Sequence, residues 1–292
     1  MRSITVATCQ FPVEADMDLN RRHILRQIHQ AADGQANVVH FSECALSGYA
    51  GVDIPDVRSI DWQRLREATT QIQQAARSRR VWVLLGSTHR LSEGFRPHNS
   101  VYVIDPRGRI VNRYDKRFCT GRGGTRPTMD LHHYSPGNRC VTFRVQGITC
   151  GILICYDYRF PELYRELFQQ GVHVVFQSFH NARSTVVADT SYNIWQTIVP
   201  ATMACRAAEN HFWISANNST ARPSRWASFA VRPDGWITGR LKKHQSGVLL
   251  TRMDLDSTVF DAPGPWRQAA IDGQLHSGAC VDHERSRDVT CL

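Results

Sequence analysis

The sequence predicts an α/β protein, and three observations support this class. Short apolar runs typical of buried strands alternate along the chain with segments of helical periodicity. The chain has 292 residues, of which 42% are hydrophobic, so it can bury a large core as one enzyme domain. No run of 18 apolar residues occurs and the first residues lack a signal-peptide core, so we expect neither a membrane span nor a leader.

The first half of the chain predicts four strands and two helices. The segment ITVATC favours a strand over 3–9, and a helical pattern over 20–33 ends before Gly34, as helices commonly do before glycine. Another strand is expected over 36–42, a helix over 61–77 and a strand over 81–86, the last from the apolar run VWVLLG. The run RIVNRYD predicts one more strand over 109–115.

The second half repeats the alternation. A strand over 148–154 follows a Gln146-Gly147 turn, and apolar residues at helical spacing predict a helix over 160–168. Pro161 suits the first turn of that helix, and Gly171 suits the position after its end. Further elements are expected as a strand over 172–176, a helix over 191–209, a strand over 212–217, a hairpin around 232–235 and a strand over 247–253.

Cys155 is the first candidate for chemistry, because it lies between the strand over 148–154 and the helix that follows. The N-terminus of a helix favours a thiolate, which is the form of cysteine that attacks carbon. The alternative is that Cys155 is one of several small core residues, since the chain has nine cysteines.

Two other strand ends carry charged side chains. Glu43 follows the strand over 36–42, and Lys116 follows the strand over 109–115. Such residues are mostly solvated surface groups, but sheet folds collect catalytic groups where strands end. With Cys155, three strand ends therefore carry a carboxylate, an ammonium and a thiol, which favours a shared site.

The residue types predict complementary roles. A neutral thiol needs a base, and Glu43 could supply it for Cys155. Attack on an amide or nitrile carbon builds negative charge, which Lys116 and the backbone N–H of Tyr156 could stabilise. The expected intermediate is a thioester, or a thioimidate from a nitrile, which water activated by Glu43 then cleaves.

Three segments carry a resemblance to a known family: FSECALSGY around Glu43, YDKRF around Lys116 and ICYDYRFPELYREL around Cys155. They resemble the Glu–Lys–Cys triad motifs of the nitrilase superfamily of carbon–nitrogen hydrolases, in its amidase-like branch. The resemblance covers about residues 3–255. It implies a four-layer α-β-β-α sandwich, a homodimer or larger assembly, and neither a metal nor an organic cofactor. We therefore expect a hydrolase domain over 1–259 and an extension over 260–292, which is either an arm that contacts another subunit or a loose segment.

Asp130 departs from the family pattern, which usually has a glutamate six residues before the proline of its Pro-Gly pair. The resemblance gives this second acid the task of supporting Lys116. A side chain one methylene shorter could do so only if the backbone lies closer. The alternative is an exposed loop aspartate whose role another residue takes.

The substrate is less constrained than the reaction. Tyr49 and Tyr156 flank the candidate residues, and His180, Asn181 and Arg183 follow the strand after the nucleophile helix. Tyr49, His180, Asn181 and Arg183 are therefore candidate substrate-binding residues, although solvated-loop roles are equally open for the charged ones. The expected reaction is hydrolysis of a small non-peptide amide with release of ammonia. An N-carbamoyl hydrolase or a nitrilase on the same site is the alternative.

Charge and cysteine usage complete the expectations. The net charge of +9 permits weak nucleic-acid binding, so a catalytically dead basic binding protein is the alternative from another class. Basic residues are spread along the chain, however, which makes nucleic acid an unlikely partner. The cysteines show no disulfide spacing, which fits a cytoplasmic protein. The segment over 276–283 contains histidines and a cysteine but matches no zinc template.

Overall fold

The computed structural model describes residues 2–183 and 194–290. Its strands are β1 Ser3–Gln10, β2 Val38–His40, β3 Trp82–His89, β4 His98–Ile104, β5 Ile110–Asp115, β6 Thr142–Val145, β7 Ile148–Ile154, β8 Val174–Ser178, β9 Trp213–Asn217, β10 Phe229–Val231, β11 Ile237–Arg240 and β12 Gly247–Asp254. Its α-helices are α1 Met17–Asp33, α2 Trp62–Arg79, α3 Asp130–His133, α4 Pro161–Gln169, α5 Ile194–Asn210 and α6 Gly264–Ile271.

The strands form two six-stranded mixed sheets. The first has the order β12-β1-β2-β3-β4-β5, and the second has the order β11-β10-β9-β8-β7-β6. In each sheet three consecutive strands run parallel, β1–β2–β3 in the first and β7–β8–β9 in the second, and the outer pairs are antiparallel. The carboxyl ends of the parallel strands therefore lie at one edge of each sheet, where α/β proteins place their sites.

The residues of β1 show how the layers are arranged, because successive side chains of a strand point to opposite faces. Val6 packs in one apolar cluster with Ile152 and Phe176 of the second sheet. Its neighbour Ala7 packs in another cluster with Ile24 of α1 and Ile72 of α2. Helices α4 and α5 add buried side chains to the cluster of the second sheet. The predicted α-β-β-α sandwich is confirmed.

His40, the last residue of β2, links the two sheets through hydrogen bonds. Its Nδ1 lies 2.8 Å from Ser215 Oγ, and its Nε2 lies 2.9 Å from Ser178 Oγ. Burial lowers the pKa of His40 to about 3, so the ring is neutral and one nitrogen accepts while the other donates. These bonds fix the end of β2 against the ends of β8 and β9.

Most predicted elements are present, but strands β4 and β6 and helices α3 and α6 were not predicted. Strand β4 gave no strand signal because it lies between two partners and begins with the polar residues His98, Asn99 and Ser100. Strand β2 is shorter than predicted at both ends, since the ladder covers only 38–40 and a turn begins at residue 43. The predicted start of the helix over 191–209 lies outside the described residues.

The C-terminal region follows the last strand as one helix and an exposed segment. Arg267 of α6 donates to Glu209 O at 2.8 Å and pairs with Asp261, which holds this helix against the end of α5. Residues 275–290 are exposed. None of the described helices is both long and apolar enough to cross a membrane. The boundary at residue 259 stays a prediction.

Candidate active site

The strand ends of both sheets meet at the site. Lys116 directly follows β5, and Cys155 directly follows β7. Glu43 lies in the turn after β2, and its N–H donates to Phe179 O, next to the end of β8, at 3.2 Å. Gly86 of β3 makes room for this turn, because a Cβ there would lie 1.9 Å from Ser42 O.

Lys116 is held by two carboxylates inside the protein. Its Nζ lies 2.8 Å from Glu43 Oε1 and 2.7 Å from Asp130 Oδ2, and the three side chains are only 1%, 0% and 3% exposed. Burial opposes the charge, but Asp130 and Glu43 raise the pKa of Lys116 well above its ordinary value. The ammonium has three N–H groups, of which two meet carboxylates of the described residues. One remains to stabilise an anion.

Asp130 reaches Lys116 although it is shorter than glutamate. Its Oδ2 also accepts the Thr120 N–H at 3.0 Å, and its Oδ1 accepts the hydroxyl of Tyr49. Burial would raise the pKa of Asp130, but Lys116 lowers it below the ordinary value, so the side chain is a carboxylate. Asp130 is the first residue of α3, and the backbone there lies close enough to Lys116 for the shorter side chain to reach the ammonium. Its part in a reaction stays a prediction.

One carboxylate oxygen of Glu43 accepts hydrogen bonds, and the other has no hydrogen-bond partner among the described residues. Its Oε1 accepts from Lys116 Nζ and from Asn99 Nδ2, the latter at 2.7 Å. Its Oε2 is buried and accepts no hydrogen bond from any residue in the ranges 2–183 and 194–290. An unpaired buried carboxylate oxygen can accept a proton from a neighbouring thiol or water. The sequence analysis missed Asn99, because β4 itself was not predicted.

Cys155 lies in a strained turn at the same site. Its φ of +40° falls in the left-handed region, which residues other than glycine rarely adopt. Burial and then the Glu43 carboxylate raise the pKa of the thiol well above its ordinary value, against the opposing effects of Lys116 and of the His180 N–H. Burial and Glu43 therefore oppose the thiolate that the helix terminus is expected to favour, and that expectation stays a prediction. A 3-10 helix, Cys155–Arg159, separates the thiol from α4.

Tyr156 places its N–H in the first turn of this 3-10 helix, and its side chain is partly exposed. The first N–H groups of a helix have no partner within the helix, so this one suits an anion next to Cys155. The role as an oxyanion donor stays a prediction.

Asp157 ties the Cys155 turn to the Lys116 segment. Its Oδ2 accepts from Ile154 N at 2.9 Å and from Tyr114 OH at 2.8 Å, and its Oδ1 accepts from Phe118 N at 2.8 Å. Burial raises the pKa of this fully buried carboxyl to about 6. The sequence analysis did not assign it, although it lies two residues after Cys155 in the quoted motif.

The predicted substrate-binding residues form a second cluster. Tyr49 stacks on His180 with ring centroids 5.1 Å apart, and the Lys116 ammonium lies 5.6 Å from the Tyr49 ring centroid. His180 Nε2 lies 2.8 Å from Asp53 Oδ2, and both side chains are fully buried. Burial opposes the charge on His180, but Asp53 raises the pKa of its ring above the ordinary value.

Arg183 is also paired, at a side chain that is partly exposed. Its Nε lies 3.2 Å from Asp53 Oδ1, and its other end contacts Glu14. Asn181 donates its backbone N–H to Asn218 Oδ1 at 2.7 Å. The structure thus brings Tyr49 and His180 to the site. His180 and Arg183 both form ion pairs with Asp53, which was not predicted from the sequence. The substrate-binding roles stay predictions.

Comparisons with known proteins agree with this geometry. The sequence pattern of the family described as carbon-nitrogen hydrolase matches residues 5–261. The chain belongs to the carbon-nitrogen hydrolase family. It is 27% identical over 248 residues to "Hydrolase in agr operon" of Staphylococcus lugdunensis, which covers 78% of this chain and 95% of that protein. It is 25% identical over 230 residues to 2-oxoglutaramate amidase of Bacillus subtilis, and the match covers 77% of this chain and 80% of that protein.

Solved structures show the same fold. An amidase from the nitrilase superfamily, from Nesterenkonia AN1, superposes with a TM-score of 0.73 at 19% identity, over 86% of this chain and 90% of that one. A glutamine-dependent NAD+ synthetase of Acinetobacter baumannii matches with a TM-score of 0.70 at 20% identity, over 87% of this chain and 46% of that one. The chain is therefore a carbon-nitrogen hydrolase with the nitrilase-superfamily fold.

Proposed function

We propose that this carbon-nitrogen hydrolase cleaves the C–N bond of a small non-peptide amide through a thioester on Cys155, releasing ammonia and a carboxylate. One observation carries the proposal. The free, buried Oε2 of Glu43 belongs to the same electrostatic cluster as the neutral thiol of Cys155 and the ammonium of Lys116. Glu43 and Lys116 are buried, and the partly buried Cys155 lies within electrostatic range of both, which supports their assignment as base, cation and nucleophile of one site.

In the first half-reaction, Glu43 Oε2 takes the proton as Cys155 Sγ bonds to the amide carbon. Because the thiol is neutral in the free enzyme, this transfer must accompany attack. The third N–H of Lys116 and the N–H of Tyr156 donate to the developing oxyanion, and each such donor contributes about 3 kcal/mol. The C–N bond then breaks, and Glu43 returns its proton to the departing ammonia.

In the second half-reaction, a water molecule occupies the position that ammonia leaves. Glu43 accepts a proton from this water as its oxygen bonds to the thioester carbon. The same donors stabilise the second oxyanion, the C–S bond breaks as Glu43 returns its proton to the sulfur, and the released acid loses its proton to solvent and becomes the carboxylate. Asp130 holds Lys116 in place throughout, through its contact at 2.7 Å.

The substrate class rests on the relatives and on burial of the site. One relative is named 2-oxoglutaramate amidase and another omega-amidase, which supports a primary amide. Tyr49, His180, Asn181 and Arg183 are proposed to contact the acyl part. Hydrolysis of an N-carbamoyl amine would instead release carbon dioxide with ammonia. A nitrilase would form acid from a nitrile without free amide.

The test is ammonia release from a panel of small amides, N-carbamoyl amino acids and nitriles. Cys155→Ala should abolish turnover and leave the melting temperature nearly unchanged, while Cys205→Ala, at an exposed thiol, should behave as wild type. Intact-mass measurement on mixing with a slow amide should show the acyl adduct on wild type and on Cys205→Ala but not on Cys155→Ala. Residual turnover in Cys155→Ala, together with a large loss of stability, would refute the proposal.

A catalytically inactive basic binding protein is the alternative from another class. Family membership and the paired charges around Lys116 argue against it, since a buried ammonium held by two carboxylates is costly to keep without use. Salt-dependent DNA binding, with no product from the amide panel, would favour that alternative.

We also propose a cytoplasmic homo-oligomer, a homodimer or larger, in which residues 260–292 form a subunit-contacting arm. The free thiols of the described residues support a reducing compartment. Large apolar side chains of the C-terminal segment are exposed, among them Leu275, Val281 and Val289, which supports a contact surface. Light scattering should show a smaller assembly for the Leu275→Asp/Val281→Asp double variant. An unchanged mass would exclude the arm.

A further inference from the structure

Three potential metal ligands, His132 and His133 of α3 and Asp56 of a separate turn, lie close together. His132 Nε2 is 3.9 Å from Asp56 Oδ2, and His133 Nδ1 is 3.8 Å from the same oxygen. All three ligand atoms lie within 4.8 Å of one another. The sequence does not reveal this cluster, because Asp56 is separated from the two histidines by more than seventy residues.

His133 adds a second observation. The residue is only 8% exposed, and its buried Nδ1 has no hydrogen-bond partner in the described part of the chain although it faces Asp56. Gly51 packs against the other side of the ring, since a Cβ there would lie 2.8 Å from His133 Nε2. The ring is therefore held with an unsatisfied nitrogen directed at the cluster, which is costly unless a ligand fills the gap.

We propose that Asp56, His132 and His133 bind a single zinc ion, with water as the fourth ligand. Two imidazoles and a carboxylate are a donor set that zinc accepts in open tetrahedral sites. Bonds of about 2.1 Å place tetrahedral ligands about 3.4 Å apart. The two separations from Asp56, 3.8 and 3.9 Å, exceed this by about half an ångström, and no two of the three ligand atoms lie more than 4.8 Å apart, so rotation of the side chains brings all three into bonding range.

Arg58 competes with the ion for Asp56. Its guanidinium donates to both carboxylate oxygens at 3.1 Å, but its side chain is 86% exposed. An exposed arginine leaves a carboxylate at little cost, so zinc displaces it. The ion then joins the turn at Asp56 to α3, whose first residue is Asp130. The ion holds the Asp56 turn and α3 in their relative positions and takes no part in bond cleavage.

Competition between the protein and a chromophoric chelator for Zn2+ tests the site. The wild-type protein should bind one equivalent of Zn2+ tightly. His132→Ala should bind at least tenfold more weakly, and it should fold normally because His132 is 54% exposed. Asp56→Asn, which keeps the side-chain size, should lose a similar factor. Arg58→Ala should bind more tightly, and His29→Ala, at an exposed histidine elsewhere, should match wild type.

Cobalt substitution distinguishes this site from the cysteines. The Co2+ complex of wild type should show weak ligand-field bands without a thiolate charge-transfer band, and His132→Ala should lose them. A thiolate band, or equal zinc affinity in wild type, Asp56→Asn and His132→Ala, would overturn the proposal. Neither readout depends on turnover, so the result is independent of the proposed amidase activity.

Discussion

Replacing Asp130 by asparagine removes one of the two charges that hold the Lys116 ammonium. At 2.7 Å and an effective dielectric constant of about 20, the lost attraction is about 6 kcal/mol. Much of this is offset because asparagine avoids the desolvation of a buried carboxylate and can still accept a hydrogen bond. A charge-assisted hydrogen bond has a net value of about 1.5–3 kcal/mol, so we expect kcat/KM to fall between about tenfold and a hundredfold.

The assay is steady-state ammonia release, with thermal unfolding measured in parallel to separate activity from folding. Asp130→Glu is the matched control, because it keeps the charge and only lengthens the side chain. It should retain more activity than Asp130→Asn, with the remaining loss caused by crowding against Tyr49 and Thr120. Wild-type kcat/KM in Asp130→Asn would show that the contact with Lys116 has no catalytic use and would remove Asp130 from the site.

Three further predictions concern the residues that position the site. Asn99→Ala takes one hydrogen bond from Glu43 Oε1, so kcat/KM should fall about tenfold or more in the same assay, and an unchanged value would exclude a positioning role. Burial raises the pKa of Asp157 from 3.8 to about 6, so the folded state keeps its proton to higher pH than the unfolded chain. This group should therefore lower the stability of wild type relative to Asp157→Asn by about 2 kcal/mol as the pH rises from about 4 to about 6, measured by urea unfolding; parallel pH profiles would contradict it. Asp53→Asn breaks a fully buried pair with His180 and should cost about 3–5 kcal/mol of unfolding free energy, whereas Arg183→Ala, at a partly exposed side chain, should cost no more than about 1 kcal/mol. Equal losses in the two variants would refute the ranking.

Local sequence determined most elements because their signals are short-range. Strand β7 is an apolar run that follows a Gln-Gly turn, and α4 begins with Pro161 and carries its apolar residues at helical spacing. The positions of Glu43, Lys116 and Cys155 just past their strands also follow from local pattern. Strand β4 was not predictable in this way, because its polar first residues are satisfied by two neighbouring strands and by Glu43.

The sequence alone was thus enough to predict that three strand ends carry the reactive residues, which family these residues resemble and which chemistry they allow. Only the tertiary structure decided which oxygen of Glu43 is free, that the shorter Asp130 reaches Lys116, and that the Cys155 thiol stays neutral. These properties depend on distances and on exclusion of water between segments far apart in the chain. Burial and charge act through space, so no local pattern encodes them.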